Sequence, residues 1–149
     1  ESDWDATILA SAGLIRLNLE NEINNELDWM ISAPAQGAVA ILANKENTSI
    51  QKTIQDLNHQ ETALCTNIER SFLNTLNGGC SAPVGAKVVV DGNSLYFKGI
   101  VLDPSGETKI EIALEDKIEN GNILAKRAAQ MAIERGAIDL INNVKNDNK

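Results

Sequence analysis

A chain of 149 residues with 43% hydrophobic content can bury a core and fits one or two small domains. Its formal charge of -8, from 13 Lys and Arg against 21 Asp and Glu, argues against a nucleic-acid binder, because phosphate contacts need clustered cations. Two cysteines, Cys65 and Cys80, and one histidine, His59, are too few for a disulfide framework or a His-based metal site; they suit a reducing cytoplasm, and no apolar run is long enough to span a bilayer. The chain starts without Met, and Asp5 to Ala10 reads like the middle of a fold, so it is expected to be a piece of something longer.

Residues 6–10 form a short apolar run of the buried-strand kind, and Ser11 to Leu19 carries Ala12, Ile15 and Leu19 at helical spacing, together a βα unit. Asn21 to Met30 is polar. Ser32-Ala33-Pro34-Ala35-Gln36-Gly37 has turn chemistry and is taken as a domain crossing. Ala38 to Ala43 is continuously apolar, the pattern of a central strand covered on both faces. Thr48 is expected to cap a short helix over Ile50 to Leu57. A clearer helix should follow, with Asn58 as its N-cap and Glu61 completing a capping box. There Leu64, Ile68, Phe72, Leu73 and Leu76 make one buried face, and Gly78-Gly79 supplies a left-handed stop.

From Ala86 the period changes to that of strands. Lys87 to Val90 and Ser94 to Leu102 flank the Asp91-Gly92-Asn93 turn, and Glu107 to Leu114 follows the Asp103-Pro104-Ser105-Gly106 turn, giving an antiparallel sheet. Ile123 to Val144 then reads as an amphipathic helix over one sheet face, kinked or interrupted at Gly136.

The most informative stretch is Glu69-Arg70-Ser71-Phe72-Leu73-Asn74-Thr75-Leu76-Asn77-Gly78-Gly79-Cys80-Ser81-Ala82-Pro83-Val84-Gly85. Two glycines beside a thiol remove bulk, so something larger than water can approach the sulfur. On residue types alone, a helix stop followed by a small buried cysteine is the favoured reading. The stretch closely resembles the signature of the hydroxymethylbilane synthase (porphobilinogen deaminase) family: Glu-Arg, an apolar helix, Gly-Gly-Cys, two residues, then Pro, an aliphatic residue and Gly. Similarity extends through Asp5 to Leu19, Pro34 to Ala40 and the final helix, so it covers nearly the whole chain.

The resemblance implies that Cys80 holds a dipyrromethane cofactor through a thioether, on which four porphobilinogen units are condensed head to tail with loss of ammonia. The electrophile left when ammonia departs is soft, and a thiolate can trap it without a dedicated base. A position just past a helix C-terminus disfavours a thiolate, which suits an attachment site better than an activated nucleophile. Ala12-Gly13-Leu14-Ile15-Arg16-Leu17 is similar to the family run whose arginine contacts pyrrole carboxylates, which marks Arg16, beside Gly13, for that role; by residue type alone Arg16 is a solvated helix arginine. Pro34-Ala35-Gln36-Gly37-Ala38 resembles a site loop in which Gln36 and the Gly37 backbone line the cofactor. The chain departs from many relatives at Ala40 to Asn44, where a Glu and an Arg often follow the strand.

The implied parent is a three-domain α/β transferase. Residues 1–31 would finish its second domain, 32–57 would return to its first, and 58–149 would form a C-terminal domain of three antiparallel strands covered by helices, an α+β unit beside partial segments of two periplasmic-binding-protein-like domains. Those first two pieces would then lack strand partners. The catalytic aspartate and most carboxylate-binding arginines would belong to a missing N-terminal part, leaving no catalytic residue here and a fragment inactive by itself; no metal, nucleic acid or membrane is expected, and the parent should be a cytoplasmic monomer. One rival reading is a stand-alone binding module with a structural cysteine. Another, a cysteine hydrolase, is weakened because His59 begins the helix that Cys80 follows.

Overall fold

The computed structural model describes residues 3–79 and 82–147, with side chains through Asn142. The chain divides into two compact units, residues 1–30 and 31–149.

In the first unit, α1 (Ser11–Arg16) ends at Asn18, whose φ of 55° takes the left-handed position. The Asn18 and Leu19 amides donate back to the Ile15 and Leu14 carbonyls at 3.0 and 2.9 Å, so a Schellman turn closes the helix and leaves Leu19 outside it. A 3-10 turn, Glu20–Glu22, follows.

The second unit is built on β1 (Val84–Asp91), β2 (Ser94–Leu102) and β3 (Lys109–Lys117), an antiparallel sheet in the order β1-β2-β3. Asp91 pairs with Ser94 across a two-residue turn in which Gly92 has a φ of 58°, the first-position glycine that hairpin twist favours. That turn fixes the register. Val84, Ala86 and Val88 of β1, Leu95, Phe97 and Val101 of β2, and Ile110 and Ile112 of β3 all reach the buried face. Against it lie α3 (Gln60–Thr75), α4 (Gly121–Glu134) and α5 (Ala137–Asp147). α3 contributes Ile68 and Phe72, with Leu76 at its C-cap; α4 contributes Leu124 and four alanines, small enough for close helix approach. Phe72 meets Phe97 edge-on at 5.0 Å between centroids, and Gly99 leaves room for it, since a Cβ there would lie 2.9 Å from Phe72 Cζ. Gly136, with φ 93°, separates α4 from α5, so the amphipathic stretch is interrupted where expected. No helix among the described residues is long and apolar enough to cross a membrane.

Two expected strands are absent. Residues 6–10 and 38–43 carry no ladder, and Val39 and Leu42 are 86% and 93% exposed. An apolar run becomes a strand only when a neighbour satisfies its amides, and among the described residues β1, β2 and β3 pair only with one another. The capping assignments also move. α2 (Thr48–Gln55) is capped by Asn47, whose Oδ1 accepts from the Ile50 amide at 3.1 Å, and not by Thr48. α3 is capped by His59, whose Nδ1 accepts from the Thr62 amide at 3.3 Å; Asn58 instead donates to the Gln55 carbonyl and closes the turn after α2. The left-handed stop of α3 is Asn77, φ 52°, not the glycines after it.

Candidate functional site

The exit from α3 is closely specified. The Asn77 and Gly78 amides donate to Asn74 and Leu73 carbonyls, both at 3.1 Å, a second Schellman turn with Asn in the strained place. Gly78 then lies under Leu73: a Cβ there would stand 2.5 Å from Leu73 Cδ1, so a larger residue would have to push that side chain aside. Gly79 differs. It is exposed, and a Cβ on it would meet none of the described residues within 4 Å. Cys80, the expected attachment point, and Ser81 lie outside the described residues. The chain on either side of them is held together, since the Ala82 amide donates to the Gly79 carbonyl at 3.1 Å; Pro83 then accepts from the Leu102 amide at 2.9 Å as β1 begins.

The loop carrying Gln36 and Gly37 belongs to the same unit. Gln36 donates to the Ala33 carbonyl at 3.0 Å and Ala38 to the Ala35 carbonyl at 3.3 Å, making two successive turns. Each places a positive φ at its third residue, 62° at Ala35 and 83° at Gly37, with Pro34 at the second position of the first. Glycine meets that demand without strain; Ala35 adopts it at a cost of about 1 kcal/mol. Gln36 and Gly37 are exposed, open to a ligand.

What holds this strained loop is Glu69, the buried acidic residue among those described, 7% exposed. Its Oε2 accepts from the Ala35 amide and its Oε1 from the Val88 amide, each at 2.8 Å. Burying a carboxylate is tolerable only with such partners. The geometry of the strand explains them. In β1, alternate amides point away from β2, an exposed edge that must be satisfied. Val84 donates to the Ala82 carbonyl at 2.8 Å, Ala86 to the Ser32 carbonyl at 3.0 Å, and Val88 to Glu69. Residues 31–35 therefore wrap that edge, from Ile31 over Gly85 on the sheet's outer face to Ala35 beside α3. Gly85 is needed for this approach, because a Cβ there would stand 2.8 Å from the Ile31 carbonyl oxygen.

Sequence reasoning quoted Glu69 and Gly85 within the motif but gave neither a task. The signals were present: a carboxylate four residues from both Cys65 and Leu73 on an apolar helix, and a glycine inside a strand, which marks close approach. Cys65 packs against the core, as expected of a structural cysteine; burial, then the Glu69 and Glu61 charges, push its thiol pKa up. His59 caps the start of α3, roughly 24 Å of helix from its end, and is engaged with Thr62 Oγ1 at 2.8 Å. In the first unit, Gly13 and Arg16 are exposed; a Cβ at Gly13 would touch nothing, and Arg16 makes no hydrogen bond or ion pair among the described residues. Its guanidinium is available to a carboxylate ligand.

Comparison with known families gives two matches. Residues 63–134 match the model described as porphobilinogen deaminase, C-terminal domain, and residues 1–52 match that described as porphobilinogen deaminase, dipyromethane cofactor binding domain. Gly13, Arg16, Gln36 and Gly37 fall in the second match and Cys80 in the first.

Proposed function

The chain belongs to the porphobilinogen deaminase (hydroxymethylbilane synthase) family of transferases, whose cofactor is dipyrromethane and whose substrate is porphobilinogen, and from that premise we propose that Cys80 is the covalent anchor of the cofactor. The observation that carries the proposal is the loop itself: both flanks of Cys80 are fastened, while no described residue lies within 4 Å of where a Cβ on the glycine before it would stand.

When bound, the primer supplies a free pyrrole end on which porphobilinogen units are joined. This chain's residues hold and orient it. Cys80 Sγ would hold the primer through a C–S bond, made as the C–N bond of porphobilinogen breaks and the thiol proton leaves with the ammonia. Arg16 presents a two-pronged cation suited to acetate and propionate groups. Gln36 offers an amide side chain and Gly37 a backbone N–H, which serve as fixed polar contacts. The transferase releases hydroxymethylbilane in the cytoplasm as a monomer, without nucleic acid or membrane, and residues outside this chain complete its chemistry. The 149 residues alone, acidic and poor in arginine, are a weak host for a polycarboxylate.

Intact-mass spectrometry on the complete gene product tests the reading. Wild-type protein should carry an added mass equal to two porphobilinogen units less two ammonia molecules, and Cys80→Ser protein should not. Active enzyme with an unmodified Cys80 would overturn the assignment and favour a structural cysteine.

A further inference from the structure

We propose that Glu69 is a positioning residue for the reaction, a latch that ties the loop bearing Gln36 and Gly37 to the strand edge beside the Cys80 segment. The inference rests on Cys80 being the cofactor anchor. One carboxylate holds two pieces of chain far apart in sequence, Ala35 through Oε2 and Val88 through Oε1. Glu69 rises from α3, the helix whose end delivers Cys80, and Val88 belongs to β1, the strand that leads away from it. The double turn of residues 33–38 therefore takes its place from the same two elements that place the cysteine segment. Ala35, in a backbone conformation unfavourable for it, gives the latch something to hold. The Ser32 carbonyl on the Ala86 amide and the glycine at 85 complete the grip.

The complete gene product carries the test, with Glu69→Gln, which replaces one acceptor oxygen by an N–H₂ facing a backbone N–H. Gly85→Ala disturbs the same segment without touching the carboxylate, and serves if the first variant fails to fold. Three quantities are read: amide exchange at Ala35, primer mass, and steady-state kinetics with porphobilinogen well below the melting temperature. Expected are exchange at Ala35 about tenfold faster, from loss of a charge-assisted hydrogen bond, with the Phe97 amide unchanged. The primer stays loaded, and kcat/KM falls by about tenfold or more, as misplacement of a site loop predicts. A loaded, folded variant with wild-type kcat/KM, or with Ala35 exchange unchanged, overturns the latch. Wild-type protein lacking the primer mass overturns the Cys80 reading instead, a distinct failure seen before any variant is compared.

Discussion

Replacing Gly85 by Ala probes the contact between residues 31–32 and the edge strand. The new Cβ would stand 2.8 Å from the Ile31 carbonyl oxygen and 2.8 Å from Ile100 Cγ2, each about 0.6 Å short of an ordinary contact. Ile100 is half-buried and can turn its methyl aside; the Ile31 oxygen is backbone, fastened by the Ser32 carbonyl that accepts from Ala86 at 3.0 Å. The cheapest relief lifts residues 31–32 off the strand. That forfeits one backbone hydrogen bond, about 1 kcal/mol, and part of the apolar contact of Ile31, about 1 kcal/mol more. Urea unfolding should therefore show a loss of about 2 kcal/mol with an unchanged slope. Hydrogen exchange should locate it: the Ala86 amide speeds up while the Phe97 amide of the central strand tracks only the global change. An Ala86 amide as protected as in wild type would refute the reasoning, because the clash would then have been absorbed by the sheet.

Three further outcomes follow from other places in the fold. Asp116 accepts from Asn120 Nδ2 at 2.6 Å and from the Lys117 amide at 2.9 Å, and faces Arg127 at 2.7 Å, and these hold its carboxyl below the usual range in that order of importance. A depressed folded pKa stabilises above the unfolded carboxylate range and is lost as pH falls through the folded value; the stability gap between wild type and Asp116→Asn should shrink between pH 6 and pH 3, and a gap independent of pH would contradict this. Gly99→Ala puts a Cβ 2.9 Å from both Phe72 Cζ and Phe97 Cε1 and should cost about 1–3 kcal/mol in urea unfolding, with Phe72→Leu recovering part of it; purely additive losses would show that the rings are not the obstacle. Gly79→Ala should leave stability equal or slightly raised, within about 1 kcal/mol, since no described residue lies within 4 Å of the new Cβ, yet slow primer loading followed by intact mass; a clearly destabilised protein would mean that the glycine serves the fold.

The second unit was largely legible because its determinants are local. A two-residue turn sets the β1-β2 register, alternation sets the buried face, and a four-residue spacing sets the apolar stripe of α3. The runs at 6–10 and 38–43 failed as strands for a physical reason: continuous hydrophobicity reports that a segment can be buried, not that a partner is present to pair with it. The caps failed by one residue. Asn58 and His59 both offer an acceptor, and the choice was made by where the preceding helix turned, which residue preference does not encode. Glu69 stayed hidden because a helix carboxylate is exposed by default; only the unpaired amides of an edge strand, a feature of the folded sheet, reveal what it is for.

The seventeen-residue signature can now be separated by purpose. Phe72 fills the core against Phe97, Gly78 accommodates Leu73, Gly85 admits Ile31, and Glu69 binds two backbone amides. Each is explained by packing or hydrogen bonding within this chain. Gly79 differs: it adopts no left-handed φ, is exposed, and has no neighbour among the described residues that a methyl group would strike. It directly precedes Cys80, in a segment whose flanks are held by the Ala82 and Leu102 amides, and for the anchor proposed above a residue without a side chain at that place suits the attachment of a two-ring primer.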